Sequence, residues 1–370
     1  MNFEFSEDSR LLRDQARRFL AEQCTTRHVR QVLEGEAPFL RELWANMAGM
    51  GWLGAAIPEE HEGAGLGHEA LCVLAEELGR ALAPVPFTST VCLAAEAIQA
   101  AGSEAQRRDL LPRIARGELI ATAALGAGPG EPGAARVQAE ARGGRVSGTA
   151  WPVPDGGIAA VAVVAAREGS GVSLFLLDLT GPGVARAPIE TVDPTRDHAR
   201  LTLQDAPATP LGPSGQGEAI MRAVLDRAAV LVAFEQVGLA SACLEMATGY
   251  AKERHAFGRP IGSFQAIKHK LADVYVATEL ARSNAYYGAW ALSAGAAELP
   301  LAAATARVSA TDACFLAAKE NIQVHGGIGF TWEMDCHLFY RRAKLLGLSL
   351  GSARHWKDRV VSELETRNAA

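Results

Sequence analysis

The spacing of apolar residues divides the chain into three stretches. From Ser6 the run SEDSRLLRDQARRFLAEQ places Leu11, Leu12, Ala16, Phe19 and Leu20 three and four residues apart, the period of a helix with one buried face. Ser6 stands where a hydroxyl N-cap belongs. ALCVLAEELGRALA, from Ala70, repeats the pattern and ends at Pro84. After about residue 120 the period changes. ARVQAEARGGRVSGTAW reads as two alternating runs around a Gly143-Gly144 turn, and AAVAVVAA and VSLFLLDL read as buried strands. Ten of the 17 prolines lie between Pro129 and Pro213, which marks this stretch as a β-rich insert. Beyond it the helical period returns. Glu218 to Gln236 holds neither Gly nor Pro, so one helix is expected to run on to about Glu253. A second begins near Ser263, with Phe264, Ile267, Leu271 and Val274 on one face; a third covers about Leu301 to Val324; a fourth starts near Glu333. The expected fold is mainly α with a central β domain. It comprises an N-terminal helical domain (1–120), a middle β-barrel or sandwich (121–216) and a C-terminal antiparallel four-helix bundle (217–370).

Composition narrows the function. A chain of 370 residues is long enough for two or three domains. Its 36 basic and 42 acidic residues give a net charge of −6, which argues against a nucleic-acid or anionic-membrane partner. Purely apolar runs such as IAAVAVVAA are far shorter than the roughly 20 residues a bilayer span needs. The N-terminal MNFEFSEDSRLLRDQ is amphipathic and acidic where a signal peptide is basic and then apolar, so the expected location is cytoplasmic. The six cysteines are scattered, with no C-x-x-C pair and no histidine at metal-ligand spacing, and are expected to be reduced structural thiols.

Two stretches carry candidate chemistry: YAKERHAFGRPIGSFQAIKHKLAD from Tyr250 and NIQVHGGIGFTWEMDCHLFYRRAK from Asn321. Arg254 ends a long helix where the chain turns through Gly258, a placement that suits a guanidinium gripping a phosphate with paired hydrogen bonds. Alone, it would be a helix-terminal arginine complementing the dipole. Gln265 just inside the next helix, and the bare backbone of Gly326 and Gly327, shift the balance toward a close-lying dinucleotide. His325 could donate to such a cofactor, or fill a turn.

Together with the helix–β–helix order, these motifs resemble the acyl-CoA dehydrogenase family, and the resemblance runs from end to end. GWLGAAIPEEHEGAGLG and LAEELGRALAP in the N-terminal stretch are similar to that family as well. The resemblance implies FAD lying between two subunits of a dimer. The residues matching the family's trans contacts are Arg254, His255 and Ala256, then Phe264 and Gln265, then Gln323, Val324, His325, Gly326 and Gly327. These would reach a flavin held mainly by the neighbouring chain. Gly351 and Ser352 stand where a Gly-Thr is usual. The ring-side half differs. Where the family has a TEP-x-x-GSD-like loop this chain has ALGAGPGEPGAA, and the aromatic that stacks near the flavin in many relatives falls at Pro152, with Trp151 one place early. Trp151 is either a substitute or simple strand packing.

The implied reaction removes a proton from the α-carbon of an acyl-CoA while hydride passes from the β-carbon to flavin N5. An α-proton is weakly acidic, so a carboxylate must stand within reach of it. The commonest family position for that glutamate falls on Leu350, and a second falls on Ala228. Both are aliphatic, and no catalytic residue is assigned. Glu235, seven residues after Ala228 in AAVLVAFEQVGLA, is a possible substitute base, or a buried carboxylate paired with an arginine. Glu333 and Asp335 belong to a helix start, where the dipole favours acids. Three readings remain open. The chain is a base-less subunit joined to a paralogous acyl-CoA dehydrogenase subunit in a heterodimer or heterotetramer acting on an acyl-CoA, often a bulky steroid-derived or branched one in such relatives. It is alternatively a flavin monooxygenase or oxidase of the same fold, or a flavin-free structural homo-oligomer. Beside these three stands a self-sufficient dehydrogenase using Glu235 or an acid elsewhere in the chain.

Overall fold

The computed structural model describes residues 5–128 and 131–369; Met1–Glu4 of the N-terminal segment, Pro129 and Gly130 of the ring-side loop, and Ala370 lie outside the described residues. Six helices come first: α1 (Glu7–Gln23), α2 (Thr26–Leu33), α3 (Arg41–Gly49), α4 (Gly67–Arg80), α5 (Glu96–Ala101) and α6 (Glu104–Ala115). Strands β1 (Ala121–Ala124), β2 (Glu140–Arg142), β3 (Arg145–Pro154), β4 (Val161–Glu168), β5 (Gly171–Asp178), β6 (Val184–Pro188), β7 (His198–Pro207) and β8 (Thr209–Leu211) follow. Helices α7 (Gly217–Glu253), α8 (Gln265–Ser293), α9 (Leu299–His325), α10 (Cys336–Leu348) and α11 (Ala353–Ala369) complete the chain. They form two compact units. One comprises Gln31–Leu71 and Pro84–Ala228; the other comprises Met1–Arg30, Cys72–Ala83 and Ala229–Ala370.

The first unit is built on the sheet, whose strand order is β6-β7-β3-β2-β4-β5-β8, with β1 added beside β4. Gly143 and Gly144 both have positive φ, so the chain reverses there in two residues and β2 pairs antiparallel with β3. Pairing is antiparallel except at β4, which runs parallel to β1 and meets β2 in parallel at one position. One apolar cluster takes Ala124, Ala141, Val146, Val153, Val164, Phe175, Leu177, Leu201 and Leu203, residues from six of the strands, so the sheet wraps a single core. The same unit holds a buried, paired carboxylate, Glu96. It accepts from His68 Nε2 at 2.8 Å and from Arg227 Nη1 at 3.0 Å, tying the starts of α4 and α5 to α7.

The second unit is helical. Ser6 caps α1 by accepting from the Ser9 backbone at 3.1 Å. Its buried face is narrower than the sequence spacing suggests, because Ala16 and Leu20 are buried while Leu11 is exposed. Within this unit α4 crosses α7 at backbone contact: a methyl on Gly79 would overlap the Glu235 carbonyl, and one on Gly238 would overlap that of Glu76. Helix α7 is long and apolar enough to cross a membrane by length and composition, yet 72% of its apolar window is buried inside the protein. It is a core helix. The fourth long helix of the expected bundle is instead two shorter ones. α10 starts at Cys336 rather than Glu333, because residues 331–335 are bent, and the chain breaks again at Ser349–Ser352 before α11. The described cysteines, all six, are buried and free.

Candidate functional site

Three motif segments meet in the helical unit. Val324, near the end of α9, is buried with Ala247 and Ala251 of α7, and Tyr250, Ile261, Ile267 and Leu271 pack against that cluster. The Tyr250 and His325 rings stack at 4.2 Å. This packing fixes the end of α7, the start of α8 and the end of α9 against one another. Between α7 and α8 a two-residue turn, Phe257 and Gly258 with φ 53° and 77°, folds His255–Ala256 back on Arg259–Pro260, and Ile261 N donates to Arg254 O at 2.8 Å. The turn leaves Arg254 exposed, and among the described residues no side chain or carbonyl accepts from its guanidinium. Phe264 stands at the N-cap position of α8 under the Arg259 guanidinium at 4.1 Å, and Gln265 opens the helix exposed to solvent.

At the other edge, Gln323 is exposed, and His325 is buried with Nδ1 2.8 Å from Asn321 O. A histidine held in this way inside the helix terminus supports the turn rather than reaching out of it. Gly326 has φ 65°, and neither it nor Gly327 would meet any atom within 4 Å if a methyl were added. Their backbone is an open, side-chain-free shelf, the shape a dinucleotide backbone can approach. An unpartnered guanidinium, a free amide and a bare glycine backbone are groups of the kind that can bind a dinucleotide. The same motif segments carry exposed apolar side chains, Phe257 at 95% exposure and Phe330 at 85%, with Ile328 and Trp332 also exposed.

Gly351 and Ser352 occupy a separate turn, between α10 and α11. Leu350 has φ 61° and Gly351 φ 110°, and Ser352 Oγ accepts from His355 N at 3.2 Å to start α11. The first candidate base position is thus a partly exposed leucine in a left-handed turn. Ala228, the second, is fully buried.

Glu235 proves to be a paired carboxylate. Its Oε1 lies 3.5 Å from Arg342 Nη1, with the two side chains 5% and 1% exposed, and Arg342 also donates to Leu82 O at 3.4 Å. The neighbouring Gln236 accepts from Arg307, which is completely buried. Two adjacent α7 residues therefore hold two buried arginines. Neither arginine was singled out in the sequence. The signal was there for Arg307, which shares its helical stripe with Ala303, Ala310 and Cys314.

Asp335 stands at the N-cap position of α10 without capping it; it accepts instead from Arg30 Nε at 2.9 Å and Nη2 at 2.7 Å. Glu333 is exposed, and hydrogen bonds from its own backbone and from Thr331 hold its carboxyl below the usual range. In the sheet unit, the described part of the ring-side loop is laced to β3: Trp151 N donates to Gly126 O at 3.0 Å and Gly128 N to Trp151 O at 2.9 Å. One face of the Trp151 indole carries the Arg200 guanidinium, 4.3 Å from the ring centre. That contact is cross-strand packing on this one face.

Known proteins agree with this architecture. The family model described as acyl-CoA dehydrogenase, N-terminal domain, matches residues 6–118, and that described as acyl-CoA dehydrogenase, C-terminal domain, matches residues 215–360. The chain belongs to the acyl-CoA dehydrogenase family. A relative from Mycobacterium tuberculosis, acyl-CoA dehydrogenase IpdE2, is 35% identical over 97% of this chain and 98% of its own. Among solved structures, a single-site variant of the Tcur3481-Tcur3483 steroid ACAD superposes with a TM-score of 0.90 at 36% identity, covering 98% of this chain and 99% of its own. The ChsE4-ChsE5 complex from Mycobacterium tuberculosis gives 0.90 at 30% identity, covering 99% of both. Acyl-CoA dehydrogenases bind FAD.

Proposed function

We propose that this chain is a subunit of an FAD-dependent acyl-CoA dehydrogenase that supplies the trans half of the flavin site to a catalytic paralogue and has no catalytic base of its own. The observation that carries this reading is a contrast within one unit. The groups facing outward, Arg254, Gln265 and the Gly326-Gly327 shelf, are open and unpartnered, while the one carboxylate considered as a base, Glu235, is closed in a buried ion pair. Leu350 and Ala228 can take no proton. When bound, FAD accepts the hydride; this chain's part is to grip the dinucleotide through Arg254 and leave room for its backbone at Gly326 and Gly327. The exposed Phe257 and Phe330 in the same motif segments suit a subunit interface. Two of the solved relatives are named as two-component proteins, one of them a steroid ACAD, which supports a paralogous partner and a bulky acyl-CoA substrate.

The test is turnover. The purified single chain is expected to show no acyl-CoA-dependent dye reduction, and Leu350→Glu alone is expected to create no efficient enzyme, because a base without a complete flavin site has no hydride acceptor beside it. Substantial turnover by the single unmodified chain would overturn the proposal.

A further inference from the structure

We propose that Arg307 is the positioning residue of the Leu350–Ser352 turn: its guanidinium takes carbonyls at the end of α10 and thereby stops that helix at Leu348. Local signals weaken the helix here: Gly347 lies in its last turn, Gly351 follows its end, and Ser349 donates from both N and Oγ to Leu345 O, each at 3.0 Å, but none of these takes the carbonyls of Leu346 and Ser349. Leu350 takes a positive φ that leucine rarely adopts, and Gly351 follows at φ 110°. A helix end leaves carbonyls without intrahelical donors, and a buried end needs donors from elsewhere. Arg307 is 0% exposed and supplies them. Its Nη2 donates to Leu346 O and, at 2.8 Å, to Ser349 O. Its Nη1 donates to Gln236 Oε1 and, at 2.7 Å, to Thr311 Oγ1.

The guanidinium is thus held on one side by α7 and its own helix, and grips the start of the turn with the other. Four acceptors shared between the two Nη atoms suit the fork of an arginine and exceed what a lysine ammonium, with three donors, can serve. Burial pushes Arg307 down to about 10, with Glu235 acting against that fall, so it stays charged at neutral pH. The turn so fixed presents Gly351 and Ser352. That these two touch flavin rests on the function proposed above; that Arg307 sets their conformation does not.

Hydrogen exchange on the full chain, alone and co-assembled with its paralogue, distinguishes the two. In Arg307→Met, amides of residues 348–353 are expected to exchange at least about tenfold faster while the middles of α8 and α9 keep their protection. Flavin should leave the co-assembled pair faster by a comparable factor. Arg307→Lys is expected to restore part of the local protection and part of the flavin retention, a graded rescue that a loss of general packing would not give. Should the Met variant fail to fold, the Lys variant still decides, because its loosening must be confined to the turn. Unchanged exchange at 348–353, or a rise spread evenly over the helical unit, overturns the proposal. Local loosening with unchanged flavin release leaves Arg307 as the positioning residue and refutes the flavin role of Gly351 and Ser352.

Discussion

Replacing Glu235 by glutamine separates a structural carboxylate from a catalytic one. In the native chain its carboxylate faces the Arg342 guanidinium at 3.5 Å with both side chains almost wholly buried, and its charge also acts on the buried Arg307. Glu235→Gln keeps the shape and removes the charge, leaving two cations in a low-dielectric layer. Breaking a buried pair by removing one partner costs about 3–5 kcal/mol, most of it the desolvation of the charge left behind. With a urea m-value of about 2–3 kcal/mol per molar, the unfolding midpoint of the helical signal should fall by about 1–2.5 M. The double variant Glu235→Leu/Arg342→Met should recover most of that loss, because no uncompensated charge at this pair then remains. Circular dichroism over a urea series measures both. Turnover of the co-assembled enzyme under conditions where the variant is folded should stay close to native. An equally stable Glu235→Gln protein whose turnover falls about 100-fold or more, the size of a lost general base, would refute the reasoning.

Arg254→Ala should leave the stability of the chain, read from urea unfolding, within about 0.5 kcal/mol of native, since the side chain is exposed and unpartnered, while flavin content of the co-assembled pair drops sharply; equal flavin content by absorbance would contradict its assignment. Acid should weaken the sheet unit through Glu96. Burial pushes this carboxyl up, but hydrogen bonds and charge from His68 and Arg227 more than offset that and hold it below its ordinary value. A depressed folded value means the stabilisation is complete above about pH 4.5 and is lost as pH falls through the folded value. Arg227→Met should lower stability at about pH 6 and reduce its loss between about pH 5 and pH 3, as followed by urea midpoints across that range; an unchanged slope would count against the coupling.

Much of the architecture was legible because period and punctuation are local. The absence of Gly and Pro from Glu218 to Gln236, and the Gly143-Gly144 pair, each correspond to an element in the structure, α7 and the β2–β3 turn. The meeting of the Tyr250 and Asn321 motifs could be expected only through family resemblance, since nothing in either stretch alone says that Val324 packs on Ala247 and Ala251. The parallel seat of β1 beside β4 was not readable, because pairing between distant strands leaves no periodic trace. Nor was the early end of α10. Gly347 and Gly351 weaken the helix there, but the side chain that takes its last carbonyls, Arg307, comes from another helix. Glu235 shows the same limit: the apolar run marks it as buried, but only the fold supplies Arg342.

The most direct measurement is the flavin absorbance and stoichiometry of the chain purified alone and then after co-expression with its paralogue. The expected result is little flavin in the lone chain and one FAD per heteromeric pair. Full occupancy in the lone chain would contradict a division of the flavin site between two different subunits.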